Sequence, residues 1–170
     1  RPFLQAGMPF TQQMSIPIEI ALRTTPDGIR MFRNPVKEIE KLYHNTTEVA
    51  DLSAGEANKK LSELAPELID LTLKFEPKGD FTLNVRGLPI RYVWAKQEFQ
   101  FTNVVRVEGE RAAWRKKGPY RDTGIRAIPA PAVNGKVILR VLVDRASLEL
   151  FVNDGLAAAS FVVVPDPANR

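Results

Sequence analysis

The sequence predicts an all-β fold, a two-sheet antiparallel β-sandwich of the jelly-roll or concanavalin-like kind, with one short helix near residues 54–64. Apolar and polar residues alternate with a period of two in many short segments, and turn residues separate these segments. Such strands form antiparallel sheets with one apolar face each, and two apolar faces bury each other. The 170 residues, 44% of them hydrophobic, are enough for this core without a disulfide, and the chain has no Cys.

The first predicted element is a β-hairpin over residues 16–33. Strict alternation runs over residues 16–23, and the sequence Thr-Pro-Asp-Gly at 25–28 favours a tight turn before a return strand at 29–33. Pro17 cannot donate to a strand ladder, which indicates a free edge or a bulge there. A turn or brief helix is expected over residues 36–43.

The predicted helix near 54–64 has clear signals at both ends. Ser53 and Glu56 match a capping box, and Leu61 and Leu64 continue an apolar helical spacing. Pro66 then stops the helix, because proline cannot continue the backbone hydrogen bonding.

The remaining alternating segments predict a succession of short strands. The turn sequence at 153–155, Asn-Asp-Gly, is a strong hairpin signal between the last two of them. Residues 103–136 are the least regular part and are expected to contain one or two short strands. The predicted strands after the helix lie at 69–75, 81–86, 90–94, 98–102, 137–143, 148–152 and 157–164.

The sequence divides into an arm at 1–14, a β-sandwich domain at 15–165 and a short tail at 166–170. The arm combines five large apolar side chains with no acidic group. It is expected either to pack on its own sandwich or to contact another domain. The candidates for that interdomain contact are Phe3, Leu4, Met8, Phe10 and Met14.

Composition narrows the possible chemistry. The net charge of +4 is a mild excess and does not predict a nucleic-acid partner, and no apolar run is long enough to predict a membrane span. With no Cys and the single histidine His44, neither a thiolate nor a multi-histidine metal site is available. No phosphate-binding glycine motif occurs. We therefore expect no metal, no cofactor, and no nucleic-acid or membrane partner.

Two clusters of aromatic and basic residues could bind a ligand, one around Trp94 and one over residues 111–121. We expect Trp94 and Trp114 to cap the sandwich core, since tryptophan is usually largely buried. In the alternative, Trp94, Trp114 and Tyr120 stack on sugar rings, because an exposed aromatic face suits the apolar face of a sugar.

Several segments resemble the C-terminal module of glycoside hydrolase family 32, which includes levanases, inulinases and invertases. The most specific is Val-Asp-Arg-Ala-Ser-Leu-Glu-Leu-Phe at 143–151, followed by the Asn-Asp-Gly turn. Similar stretches are Gly-Met-Pro-Phe at 7–10, Arg-Thr-Thr-Pro-Asp-Gly-Ile-Arg at 23–30 and Leu-Asn-Val-Arg-Gly at 83–87.

The resemblance implies a β-sandwich that follows a five-bladed propeller, with the chemistry in the propeller. Family members use an Asp nucleophile in an Asn-Asp-Pro-Asn-Gly motif and a Glu acid/base, a two-carboxylate retaining design. Neither that motif nor Arg-Asp-Pro occurs in this chain, so no position carries over as catalytic. Asp166-Pro167, the nearest approach to the second motif, follows a proline.

The expected function is thus that of a non-catalytic module of a fructan- or sucrose-cleaving hydrolase. It would stabilise the propeller, and a fructan or sucrose oligosaccharide and a second copy are the further partners that the resemblance allows. The resemblance also implies a secreted or periplasmic protein. The alternatives are a stand-alone carbohydrate-binding module and a protein-binding structural domain.

Overall fold

The computed structural model describes Pro9, residues 13–102 and residues 125–163. Within these ranges strands dominate, as the alternating pattern predicts. One α-helix, α1, spans Ala54–Leu64, and two 3-10 helices span Lys37–Leu42 and Trp94–Lys96. The strands are β1 Ile18–Thr25, β2 Gly28–Pro35, β3 Ile69–Phe75, β4 Phe81–Val85, β5 Leu88–Val93, β6 Glu98–Thr102, β7 Ile125–Pro129, β8 Val137–Val143, β9 Ser147–Val152 and β10 Ala157–Val162.

The described strands form two four-stranded antiparallel sheets and one separate two-stranded sheet. The first four-stranded sheet has the order β10-β9-β8-β3, and the second has the order β4-β5-β6-β7. The hairpin β1–β2 is a sheet of its own. The predicted all-β sandwich is confirmed, but the sequence did not indicate that the first hairpin lies outside its two main sheets.

The core lies between the two four-stranded sheets. Alternate side chains of β8 and β9 face those of β4, β5 and β6, as expected for strands with one apolar face. Phe75 of the first sheet makes edge-to-face contacts with Phe81 and Tyr92 of the second, at centroid distances of 4.9 and 5.1 Å. These T-shaped pairs add to the burial of the rings and fix how the sheets sit against each other.

Helix α1 covers an edge of the second sheet. It begins at Ala54 after the predicted capping box, in which the Ser53 side chain accepts from the Glu56 N–H and Glu56 bonds back to the Ser53 N–H. Asn58 then bonds strand β4: its Nδ2 donates to the Thr82 carbonyl at 2.9 Å, and its Oδ1 accepts from the Asn84 N–H at 2.8 Å. The helix therefore satisfies backbone groups that an edge strand leaves unpaired.

Strand β9 is buried on both faces. Leu148, Leu150 and Val152 point into the core, and Glu149 and Phe151 point to the opposite face, yet all of them are buried. A strand of an outer sheet has a buried second face only where another part of the chain covers it. Here the segment 13–16 contributes to that cover, because the Ile16 N–H donates to Glu149.

No helix in the described part of the chain is long and apolar enough to cross a membrane.

Candidate functional site

The hairpin β1–β2 is fastened to the turn between β9 and β10 through polar contacts. The Arg33 N–H donates to the Gly155 carbonyl at 2.9 Å, and Asn34 Nδ2 donates to the Asp154 carbonyl at 2.8 Å. The Asp154 carboxylate also accepts from the Arg23 guanidinium. Residues about 120–130 positions apart in sequence are thereby joined, so the turn predicted as a simple hairpin connection also serves as an anchor.

The backbone conformation and the contacts of the Asn153–Gly155 turn explain its three residue types. All three have positive φ, at 49°, 58° and 85°, the conformation that Asn, Asp and Gly tolerate best. A Cβ on Gly155 would lie 2.2 Å from the Arg33 carbonyl oxygen, so only glycine allows the hairpin to approach. The buried Asn153 side chain accepts from the Ile138 N–H at 3.0 Å and donates to the Pro131 carbonyl at 2.7 Å.

The two faces of the hairpin differ in what they contact. The strand register places Arg23, Phe32 and Asn34 on the face that reaches the turn, where Phe32 is buried and the Arg23 guanidinium lies 4.5 Å from its ring centroid. The opposite face is apolar and exposed, and Leu22 is 73% exposed. We call it the outer hairpin face. Its members are Ile18, Ile20, Leu22, Ile29 and Met31.

A buried carboxylate lies beside the hairpin. Glu149 is only 1% exposed, and its two oxygens accept from the Ile16 N–H at 2.7 Å and the Ser160 hydroxyl at 3.1 Å. A shallow cavity of about 100 Å³ adjoins it. The lining residues of this cavity are Gln13, Met14, Ser15, Ser147, Glu149, Ser160 and Phe161. Glu149 thus ties the segment that enters the hairpin to the first sheet.

A second polar cluster fixes the loop before α1. Arg140 Nε and one guanidinium nitrogen donate to the two oxygens of Asp70, at 2.9 and 2.7 Å, and the Tyr43 hydroxyl donates to the same carboxylate. Burial first, and then the hydrogen bond to Asp70, raises the pKa of Tyr43. The hydrogen bond to Asp70 raises the pKa of Arg140 in turn. Every group in the cluster is paired, which suits a structural role.

Trp94 is 51% exposed, so the prediction that it caps the core is wrong. It lies in the 3-10 helix that follows β5, where the chain leaves the sheet and the indole no longer faces the core. Asp80 accepts from the Trp94 N–H at 2.9 Å and from Arg91 at 2.8 Å. These two hydrogen bonds, that of Trp94 first, lower the pKa of Asp80. The exposed indole therefore sits on a fixed backbone beside an ion pair.

The other predicted site residues are placed only in part. Met14 is 91% exposed, and His44 is also exposed. The remaining candidates lie outside the described residues, so the structure does not locate them. They are Phe3, Leu4, Met8, Phe10, Trp114 and Tyr120. Among the described residues, no group of three or more His, Cys, Asp or Glu side chains could hold a metal ion.

Comparison with known proteins identifies the family. The model described as the C-terminal part of glycosyl hydrolases family 32 matches residues 38–170. The chain belongs to this family. The resemblance expected from residues 83–87 and 143–151 is therefore confirmed for the family-32 module, and these residues lie inside the matched range.

The relatives of this family-32 chain are much longer proteins. The levanase of Bacillus subtilis (strain 168) is 27% identical over 175 residues, which cover 95% of this chain and 24% of the levanase. The levanase of Bacillus sp. (strain L7) is 31% identical over 173 residues, with 93% and 18% covered. The chain thus spans a quarter or less of the curated relatives that it matches.

A solved structure supports the fold of the family-32 chain. The sucrose-6-phosphate hydrolase from Lactobacillus gasseri superimposes with a TM-score of 0.64 and 19% identity, over 89% of this chain and 29% of that protein. At this identity the likeness establishes the sandwich fold alone.

Proposed function

We propose that this chain is the non-catalytic C-terminal β-sandwich of a fructan- or sucrose-cleaving glycoside hydrolase, and that it stabilises the catalytic propeller domain that precedes it. The observation that carries the proposal is the match of residues 38–170 to the C-terminal family model. The matches to both levanases cover most of this chain, and both levanases extend well beyond the matched part. By the same resemblance the whole protein is secreted or periplasmic.

The absence of the catalytic motifs from the sequence also supports this assignment. A retaining glycosidase needs a nucleophilic carboxylate and an acid/base carboxylate about 5 Å apart on either side of the scissile bond. The motifs that carry these groups in the family do not occur in the 170 residues. Several acidic residues of the described ranges are instead engaged in holding the fold, as Glu149, Asp70 and Asp154 are.

The test compares the longer gene product with a version that ends before Glu38 and therefore lacks the matched residues 38–170. We expect both to release fructose from levan, inulin or sucrose when fresh, and the truncated protein to lose activity sooner on heating, because its exposed apolar surface is no longer covered. Equal half-lives at raised temperature would refute the stabilising role. A reading frame that encodes no preceding domain would refute the assignment itself.

A carbohydrate-binding role is a second candidate, and the exposure of Trp94 favours it. A half-exposed indole on a rigid backbone can stack on a sugar ring, and the Asp80–Arg91 pair beside it offers polar partners for hydroxyl groups. Titration of the chain with levan, inulin and sucrose while tryptophan fluorescence is measured would test it. We expect a saturable change that Trp94→Ala abolishes. No change, or an equal change in the variant, would exclude Trp94 as a sugar-binding residue.

A further inference from the structure

Glu149 is a buried carboxylate that no cationic side chain of the described ranges neutralises. It is 1% exposed, and none of the ion pairs found in these ranges includes it. It accepts instead from two neutral groups, the Ile16 N–H and the Ser160 hydroxyl. A carboxylate can accept at about four lone-pair sites, so part of its capacity is left. Buried charges in proteins are paired or coordinate a metal ion, and Glu149 therefore requires a positive partner.

A second oxygen beside Glu149 also lacks a donor. The side-chain Oε1 of Gln13 is buried and has no hydrogen-bond partner within the part of the chain that the structure describes. A buried acceptor that is left unpaired is costly. Gln13 and Glu149 line the same cavity of about 100 Å³. Two oxygens that could bind a cation thus border one small space.

The strand register brings hydroxyl groups to this cavity. Ser147 precedes Glu149 by two positions in β9, so their side chains share a face, and Ser160 of β10 is paired with Glu149. Ser15 contributes another hydroxyl from the segment before the hairpin. The polar lining of the cavity is therefore one carboxylate, one amide and three hydroxyl groups, and none of its lining residues carries a positive charge.

This set of oxygens favours a hard cation, and Ca²⁺ before Mg²⁺. Calcium accepts about six to eight oxygen ligands from carboxylates, amide carbonyls and water in a flexible geometry, whereas Mg²⁺ demands a near-ideal octahedron. A cavity of about 100 Å³ has room for one ion and a few waters, since a water takes about 30 Å³. Ser15 and Ser160 are exposed, so an ion can enter from solvent.

We infer that Glu149 and Gln13 form a weak Ca²⁺ site that fastens the segment 13–16 to strands β9 and β10. The Glu149 carboxylate and Gln13 Oε1 bind the ion, and the serine hydroxyls bond to the waters that complete its shell. A site with a single carboxylate is expected at the weak end of the calcium range, with a Kd of about 1 mM. The inference goes beyond the proposed function and does not depend on it, because every residue involved lies in this chain.

The experiment measures Ca²⁺ binding and thermal unfolding of the 170-residue chain after a chelator has removed bound metal. Equilibrium dialysis against radioactive CaCl₂ should show one ion bound per chain at saturation. At about ten times the expected Kd, CaCl₂ should lower the ratio of unfolded to folded chain about 10-fold and raise the Tm by about 3–6 °C. NaCl at the same ionic strength should leave the Tm unchanged, and MgCl₂ should raise it less than CaCl₂ does.

Three variants assign the effect to the site. Glu149→Gln removes the charge but keeps an oxygen for the Ile16 N–H, and it should abolish both the bound ion and the rise in Tm. Gln13→Ala leaves the contacts of Glu149 in place and should weaken Ca²⁺ binding at least about 5-fold. Glu63→Gln is the matched control, because Glu63 is a half-exposed carboxylate of α1 that pairs with Lys60, and it should change neither quantity.

Four results would overturn the inference. Absence of bound Ca²⁺ would mean that the cavity holds water only. An equal rise in Tm with NaCl would show a general effect of salt, and an equal rise in Glu149→Gln would place the ion elsewhere. If Glu149→Gln does not fold, Gln13→Ala decides the question, and an unchanged Ca²⁺ affinity in that variant would contradict the site.

Discussion

Gly155→Ala is the substitution that most sharply tests how the hairpin is attached. The Ala Cβ would lie 2.2 Å from the Arg33 carbonyl oxygen, 2.6 Å from its carbon and 2.8 Å from the Arg33 nitrogen. All three are backbone atoms, which cannot move aside as a side chain can. The residue also has φ of +85°, a conformation that alanine adopts only with strain.

The expected cost has two parts. The left-handed backbone costs an alanine about 1–2 kcal/mol. The clash must displace the hairpin, which loses the Arg33–Gly155 hydrogen bond, about 1 kcal/mol, and the burial of Phe32, about 1.5–3 kcal/mol. Gly155→Ala should therefore lower the free energy of unfolding by about 3.5–6 kcal/mol.

Gly135→Ala is the matched control. Gly135 also has positive φ, at +78°, but a Cβ there meets no atom within 4 Å. Gly135→Ala should lower the free energy of unfolding by only about 1–2 kcal/mol, which is the cost of the left-handed backbone. Urea unfolding measures both variants, and limited proteolysis should cut the hairpin only in Gly155→Ala. If the two variants lose the same free energy of unfolding and neither is cut at residues 18–35, the attachment described here is wrong.

Three further predictions concern the buried and paired groups. Glu149→Ala should lower the free energy of unfolding in urea by about 1–3 kcal/mol, because the Ile16 N–H loses its acceptor. Glu149→Gln keeps an oxygen at that place and should lower it less. Equal losses in the two variants would contradict this. Asp70→Asn should lower the pKa of Tyr43 toward 10.0, because the hydrogen bond to the carboxylate and the negative charge that raise this pKa are removed. NMR titration of the tyrosine rings measures the change. An unchanged pKa would contradict the contact between Tyr43 and Asp70. The free energy of unfolding should fall as the pH rises past 10.0, because burial raises the pKa of Tyr92 and the phenol of the unfolded chain loses its proton first. Tyr92→Phe should make the free energy of unfolding depend less steeply on pH in this range. An unaltered pH dependence in the variant would contradict the role given to Tyr92.

Local signals in the sequence were sufficient for most of the secondary structure. Helix α1 ends at Leu64 and is capped by Ser53 and Glu56 as predicted, because these contacts involve residues only three positions apart. The strands follow from a period of two, which needs no knowledge of the rest of the chain. The predicted brief helix after Pro35 is the 3-10 helix Lys37–Leu42.

The sequence could not reveal where the first hairpin lies. Alternation in β1 indicates one apolar and one polar face, but it does not say which of them meets the sandwich. Here the more polar face, with Arg23 and Asn34, contacts the chain, and the apolar face remains exposed. That choice depends on Asp154, more than 100 positions away, and long-range pairs of this kind leave no local pattern.

Tertiary context overrides residue type at two positions. Tryptophan is usually buried, but Trp94 follows the end of β5 in a 3-10 helix and is half exposed. Glutamate is usually exposed, but Glu149 is buried because the segment 13–16 crosses the outer face of its strand. A carboxylate between two leucines in an alternating strand suggests a solvent face, so nothing in the sequence indicated the cover.

We propose that the carboxylates that react in a family-32 hydrolase lie outside this chain. The most direct test is to incubate the purified 170-residue protein with levan, inulin and sucrose and to measure released fructose. We expect no release above a heat-denatured control with any of the three. Sustained turnover of any of these substrates by the pure chain would contradict it.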